Sequence, residues 1–437
     1  MFSAKTKSAL LSQVLAFLIP VWIGLYWVFY VVAPDMTALI FRPGILAPCL
    51  GLVFLWYRSP VTLAEMRLTA IFALLSASLL ASSLAADNPV RALQEWAKLL
   101  VICITSMIIC RALRHAPTAK AFGFSLIAAS ALSVGLLVTT YLQHVGPVLP
   151  TYTAVRDFKG MALPLGIPLN PIGFSCVLPY ICGMCLLRGT KLLWAFGLVV
   201  FVVSSSLTGS RAPVAALLVA GIVMLLINAA KSRRLFVWFT GWLLAVALLF
   251  GIPATIATLT FEQMSEMTEH RWDVWSVALQ RFSERPILGY GYFSWYEALA
   301  EHVPSQHLTG GGFHNEFFAA LAEQGIVGFL ALVCLFWFLI HCCWKLAFRP
   351  SHTWHNGQWA LFAGLVLLLR AGVEVPGLLG YAQEPADFLA YSFLAIVVSR
   401  FSVEEDYLRS ENRSLVLSPA ACVFKRGSGT AAEGISA

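Results

Sequence analysis

The sequence predicts an all-α polytopic membrane protein of about twelve transmembrane helices, with one large outer loop containing short amphipathic helices. Three observations carry that prediction. Of the 437 residues, 59% are hydrophobic and only 12% are charged, and the mean hydropathy is +0.79. An ordinary soluble domain carries about 25% charged residues, so this chain lacks the polar surface to cover itself in water. Apolar segments long enough to span a bilayer recur along the chain. Basic residues gather in alternate connections, the pattern that orients membrane proteins. The net charge of +7 is thus a topology signal and not a sign of nucleic-acid binding.

The apolar segments lie near 9–32, 41–57, 66–86, 92–112, 121–143, 169–187, 190–208, 212–229, 233–252, 314–346, 357–375 and 386–402. Lys5 and Lys7 precede an apolar run from Ala9 to Ala33 that is too long for a cleaved signal peptide, so it reads as a first span with a cytoplasmic N-terminus. With that orientation most of the 29 Lys and Arg fall on the cytoplasmic side, in clusters such as Arg111, Arg114 and Lys120, or Lys231, Arg233 and Arg234. The chain then divides into helices one to nine over 1–252, a large outer loop over 253–313, helices ten to twelve over 314–402, and a polar Gly/Ser-containing tail over 403–437 that reads as cytoplasmic and disordered. Ten cysteines lie almost all in apolar runs, where neither a disulfide framework nor a metal site is expected.

Basic residues are scarce on the outer side, which makes those present informative. The modest loop near 144–168 holds Arg156 and Lys159, and the long loop holds Arg271, Arg281 and Arg285. Within the long loop, Trp272, Trp275, Leu279 and Phe282 share one helical face, which suits a helix lying at the membrane surface. Arg285-Pro-Ile-Leu-Gly-Tyr-Gly291 supplies the turn that ends it.

The loop leads into Gly310-Gly-Gly-Phe-His-Asn-Glu, where an apolar helix is expected to begin at His314 and Asn315. Three glycines let the backbone turn sharply there. Gly325 and Gly328 lie on nearly one face of that helix and offer close approach to another helix. An imidazole titrates near neutral pH, so His314 at a helix mouth suits proton removal from a sugar hydroxyl, although it suits packing or capping too. Arg211, in Leu207-Thr-Gly-Ser-Arg-Ala-Pro, joins two spans with almost no loop and is held at the outer boundary. It reads either as a snorkelling side chain or as a rigid two-pronged phosphate ligand. Arg271 has the same two readings. Paired arginines and a histidine at one membrane face fit a diphosphate lipid, because guanidinium groups stabilise a leaving diphosphate without a metal. No Asp-x-Asp pair, nucleophile elbow or phosphate-cradling glycine loop is present, and the spacing of His302, His307 and His314 matches no compact metal site. No cofactor is expected.

These residues carry a family resemblance. His314-Asn315, nine residues, Gly325, two residues and Gly328 resemble the histidine signature of bacterial O-antigen ligases. Thr208-Gly-Ser-Arg211-Ala resembles the Gly-Ser-Arg segment of the same ligase/polymerase superfamily, and Arg271-Trp272 with Arg285-Pro-Ile-Leu-Gly-Tyr-Gly resembles the start of its large periplasmic loop. The resemblance implies a GT-C-like, metal-independent, inverting glycosyltransferase of the bacterial inner membrane, with its active site facing the periplasm and both termini cytoplasmic. It implies transfer of O-antigen polysaccharide from undecaprenyl diphosphate to a sugar hydroxyl of lipid A–core, which completes lipopolysaccharide. His314 would act at the acceptor hydroxyl, Arg211 and Arg271 would bind the donor diphosphate, and Asn315, Gly325 and Gly328 would support them. The partners implied are the lipid-linked donor, the lipid A–core acceptor and membrane lipids, with no nucleic acid.

The nearest alternative is an O-antigen polymerase, which uses the same donor but a second lipid-linked glycan as acceptor. Such chains often have two substantial arginine-bearing outer loops, whereas here the 253–313 loop dominates. A protein O-oligosaccharyltransferase of the same superfamily usually has a longer C-terminal region. A transporter or flippase calls for polar residues at mid-membrane and paired helix breaks.

Overall fold

The computed structural model describes residues 61–147, 169–187, 189–208, 219–224, 226, 271–294, 313–348, 357–372 and 385–417. The expected spans 9–32, 41–57 and 233–252, and most of 212–229, lie outside the described residues. Among those described, the regular secondary structure is helical, in keeping with the all-α expectation. The helices are α1 (Leu63–Leu84), α2 (Pro89–Ala112), α3 (Ala116–Val145), α4 (Leu169–Leu186), α5 (Lys191–Thr208), α6 (Arg271–Glu284), α7 (Glu316–Phe348), α8 (Gly357–Ala371) and α9 (Pro385–Leu417). By length and composition α1, α2, α3 and α7 are apolar enough to cross a membrane, and α4, α5 and α8 contain shorter apolar helices. The chain is a multi-pass membrane protein.

Apart from α6, these helices alternate in direction, which the cross-contacts fix. At one end, Thr62 and Ser402 share a hydroxyl–hydroxyl hydrogen bond of 2.9 Å. Buried Glu65 lies 3.6 Å from Arg111 and 3.7 Å from Arg114, and Arg114 reaches Asp406 at 3.2 Å. Glu65 also completes a capping box with Thr62 at the start of α1, so one carboxylate both caps a helix and ties α1 to α2. Halfway along, the Ser106 hydroxyl donates to the Tyr391 carbonyl, and the Ser130 hydroxyl to the Cys176 carbonyl. At the other end, the Ser82 hydroxyl donates to the Glu323 carbonyl, and the Asn315 amide to the Gly372 carbonyl. Small hydroxyl side chains thus link neighbouring helices where lipid offers backbone groups no water.

The last helix corrects one boundary. Its apolar part ends near residue 402 as expected, but the helix itself continues to Leu417, so the first stretch of the polar tail is helical rather than disordered. An Arg409–Glu405 pair one turn apart and the Arg114–Asp406 pair lie along its first turns beyond residue 402.

The other correction concerns Gly325. A continuous helix from 314 was expected, with Gly325 and Gly328 admitting a neighbouring helix. Instead α7 is broken at Gly325, where φ is 64° and ψ is −162°, a conformation essentially confined to glycine. What approaches it is a loop and not a helix: a Cβ on Gly325 would lie 2.3 Å from the Ile287 carbonyl oxygen. At Gly328 the close neighbour is the Gln324 side chain of the same helix, folded back across the break.

Candidate functional site

α7 begins at Glu316, slightly later than the sequence suggested. Asn315 is its cap: the side-chain oxygen accepts the backbone N–H of Phe317 at 2.9 Å and of Phe318 at 3.1 Å. The same side chain donates to the Gly372 carbonyl at 2.7 Å, which ties the mouth of α7 to the end of α8. Asn315 therefore both caps α7 and fastens it to α8. Asn315→Ala should cost about 1 kcal/mol for the lost cap, somewhat more with the Gly372 bond, and lower the thermal unfolding midpoint of the purified protein.

His314 sits just outside the helix. Its φ is 52°, one of two positive values on non-glycine residues among those described. Such a conformation costs on the order of 1–3 kcal/mol and persists only where the surroundings enforce it. The surroundings do so on both sides. Asn315 is fixed as described, and Phe313 is fully buried among Val274, Val277, Ala278, Ala319 and Ala322. The Phe313 carbonyl also accepts the Trp275 indole N–H at 3.0 Å. His314 itself is half-buried between these anchors.

Those contacts bring α6 onto the first turns of α7. Val274, Val277 and Ala278 form its docked face, and Trp275 lies against Phe318 with ring centroids 5.5 Å apart. Of the face read from sequence as suiting the membrane surface, Trp275 is docked here, Leu279 is 48% exposed, and Trp272 and Phe282 are half-buried. Val274, Val277, Ala278 and Trp275 therefore meet α7, and Leu279 is turned away from it. Arg271 opens α6, half-buried, one helical turn before Trp275, so it occupies the same side of the helix as the residue hydrogen-bonded next to His314. Two of the expected site residues are thus gathered around one short segment. Arg211 lies outside the described residues, as do Arg156, Lys159, His302 and His307.

The end of α6 is knitted by charge. Arg281 pairs with Glu284 at 3.2 Å, and the guanidinium groups of Arg281 and Arg285 lie 4.8 and 4.3 Å from the centre of the Tyr290 ring. The Tyr290 hydroxyl donates to Glu284 and, with Gln280 and Arg281, holds that carboxyl below its ordinary range. Arg285 also approaches Asp87 at 3.7 Å.

Sequence reasoning missed the partners of the α7 break. The segment from Pro286 to Phe293 threads against it. Ile326 N–H donates to the Pro286 carbonyl, Tyr290 N–H to the Ala322 carbonyl and Gly291 N–H to the Glu323 carbonyl, at 2.8, 3.0 and 2.8 Å. Beside this segment is a shallow crevice lined by Asn88, Arg91, Tyr292, Phe293 and Ser294, with the Arg91 guanidinium 4.8 Å from the centre of the Phe293 ring. The Glu323-Gln324 pair inside an otherwise apolar helix was the available signal.

Residues 196–333 match the family model described as O-antigen ligase. That stretch contains Arg211, α6, His314 and both Gly325 and Gly328. No curated protein matches the chain.

Proposed function

We propose that this chain, whose residues 196–333 match the O-antigen ligase family model, is an O-antigen ligase of the bacterial inner membrane. It transfers polysaccharide from undecaprenyl diphosphate to a sugar hydroxyl of lipid A–core in the periplasmic leaflet. The observation that carries this reading is the joining of the His314 turn to the first turns of α6 through the Trp275–Phe313 hydrogen bond. It sets a histidine and an arginine at one end of the bundle. The opposite end bears Arg67, Arg111, Arg114, Lys345 and Arg409, a basic excess expected of a cytoplasmic face.

In the proposed reaction the acceptor hydroxyl attacks the anomeric carbon of the donor sugar from the side opposite the diphosphate. A carbon–oxygen bond forms as the bond to the diphosphate oxygen breaks, so the anomeric centre inverts. His314 takes the hydroxyl proton and later returns it to water. Arg211 and Arg271 stabilise the negative charge that develops on the leaving diphosphate. This division of labour needs no metal, consistent with the missing Asp-x-Asp pair in the sequence. The purified protein should keep its transfer activity in excess EDTA; loss with chelator and recovery with Mg²⁺ would contradict that assignment.

The reading is tested by deleting the gene in a host that makes full-length lipopolysaccharide. Bare core together with accumulating long lipid-linked polymer is the expected result. Core carrying a single repeat unit would assign the chain to polymerisation instead.

A further inference from the structure

We propose that Glu323 is a positioning residue for glycan transfer: it locks the Pro286–Phe293 segment into the break of α7, and so fixes α6 and Arg91 relative to His314. The proposal rests on the transfer function above for its kinetic consequence, but its structural content stands on the geometry alone.

The break is an exchange of hydrogen bonds. In an unbroken helix the Ala322 carbonyl would accept the N–H of Ile326. Here that N–H goes to Pro286, and the Ala322 carbonyl accepts from Tyr290. The Glu323 carbonyl likewise takes the N–H of Gly291 at 2.8 Å and the Ser82 hydroxyl at 2.6 Å. The helix thus opens for one turn and admits a second chain segment without leaving these backbone groups unsatisfied.

Such close approach of backbone to backbone leaves no room for side chains. A Cβ on Gly289 would lie 2.3 Å from the Glu323 carbonyl carbon, and one on Gly291 would lie 2.2 Å from the Ala86 Cβ. Gly289 and Gly291 both have positive φ, at 68° and 111°. The two glycine motifs singled out in the sequence, around 289–291 and at 325, are therefore two halves of one joint.

Glu323 adds something the backbone does not. Its side chain is 1% exposed, and its carboxylate accepts the N–H of Phe293 at 3.3 Å. Phe293 is the second non-glycine residue with positive φ, at 66°. A carboxylate is a stronger acceptor than a neutral oxygen, and this bond helps hold Phe293 in that backbone conformation. Phe293 in turn carries the Arg91 guanidinium on its ring. Glu323 therefore holds, through Phe293, the position of Arg91. Through the Gly289–Gly291 contacts it also anchors the C-terminal end of α6. The other half of α6 is held independently by the Trp275–Phe313 bond. Loss of the Glu323 carboxylate should thus loosen Phe293 and Arg91, while the backbone contacts at Gly289 and Gly291 and the Arg271 end of α6 stay in place.

The test compares Glu323→Ala, Glu323→Gln and Ser82→Ala in the full-length protein, with transfer turnover, donor affinity and hydrogen exchange of the 286–294 peptide as readouts. A displacement of about 1 Å in a reacting assembly can cost roughly 10²-fold in rate. The expected result is that Glu323→Ala loses about 10²-fold in turnover with donor affinity within about 3-fold of wild type, and that its 286–294 amides exchange faster. Glu323→Gln retains an oxygen acceptor for the Phe293 N–H and should recover most of the turnover and protection. Ser82→Ala removes only one bond to the joint and should give an intermediate loss of protection, a comparison that holds even if Glu323→Ala does not accumulate. Wild-type protection and turnover in Glu323→Ala would overturn the proposal, as would a Gln variant that behaves like Ala, or unchanged protection in Ser82→Ala. If the wild-type protein transfers no glycan, the functional reading fails, while the exchange data still decide whether the joint exists.

Discussion

His314→Ala should lower glycan transfer by about 10²–10⁴-fold while donor affinity stays close to wild type. A sugar hydroxyl is a poor nucleophile at neutral pH, and a base fixed within reach of its proton supplies that factor. His314 is suited to the role because its backbone is held rather than free to move. The left-handed turn at φ 52° lies between the Asn315 cap and buried Phe313, so the imidazole starts from one defined geometry. The proposed diphosphate ligands sit on other elements, which is why binding and transfer should separate. The comparison is turnover and donor affinity side by side, with His302→Ala and His307→Ala as controls expected near wild type. Wild-type turnover in His314→Ala would reduce His314 to a helix-start residue. Loss of donor binding would move it into the phosphate site.

The second large effect is expected at the arginines. Arg211→Lys and Arg271→Lys should each lose about 10²-fold in transfer although the positive charge is kept. A guanidinium offers paired donors in a plane that matches two phosphate oxygens, and an ammonium offers a single point of charge. For Arg271 there is a structural corollary. It begins α6 and lies one turn from Trp275, so its backbone is fixed by the same contact that fixes the His314 turn. Both variants should insert and accumulate normally, as measured by membrane fractionation. Full activity in both would leave only snorkelling to lipid head groups as the role of these side chains.

The features legible in sequence are those that depend on local periodicity. Apolar runs placed α1 to α5, α7 and α8 and the start of α9 within a few residues, because length and hydropathy alone decide such helices, and the polar extension of α9 to Leu417 escaped them. The histidine at the mouth of α7 was also legible, since glycines and a capping Asn mark a helix start. The break at Gly325 was not. Gly325 and Gly328 have the spacing of a close helix crossing, and only the partner segment, far away in sequence, shows that a loop fills the gap. The docked face of α6 was not legible for a similar reason. Its bulky residues Trp272, Leu279 and Phe282 dominate the pattern, yet the smaller Val274, Val277 and Ala278 fit against α7. The role of Glu323 depends on a contact across 30 residues with Phe293, which no window on the sequence contains.

In the proposed reaction this chain moves glycan from a lipid diphosphate to lipid A–core by means of His314, Arg211 and Arg271. The most direct measurement places the purified protein in liposomes with an undecaprenyl-diphosphate-linked polysaccharide and lipid A–core, and follows where the glycan goes. The account predicts that polysaccharide appears on lipid A–core with an inverted anomeric linkage, that undecaprenyl diphosphate is released with it, and that His314→Ala forms neither product. Glycan extended onto a second lipid-linked glycan while lipid A–core stays bare would contradict it.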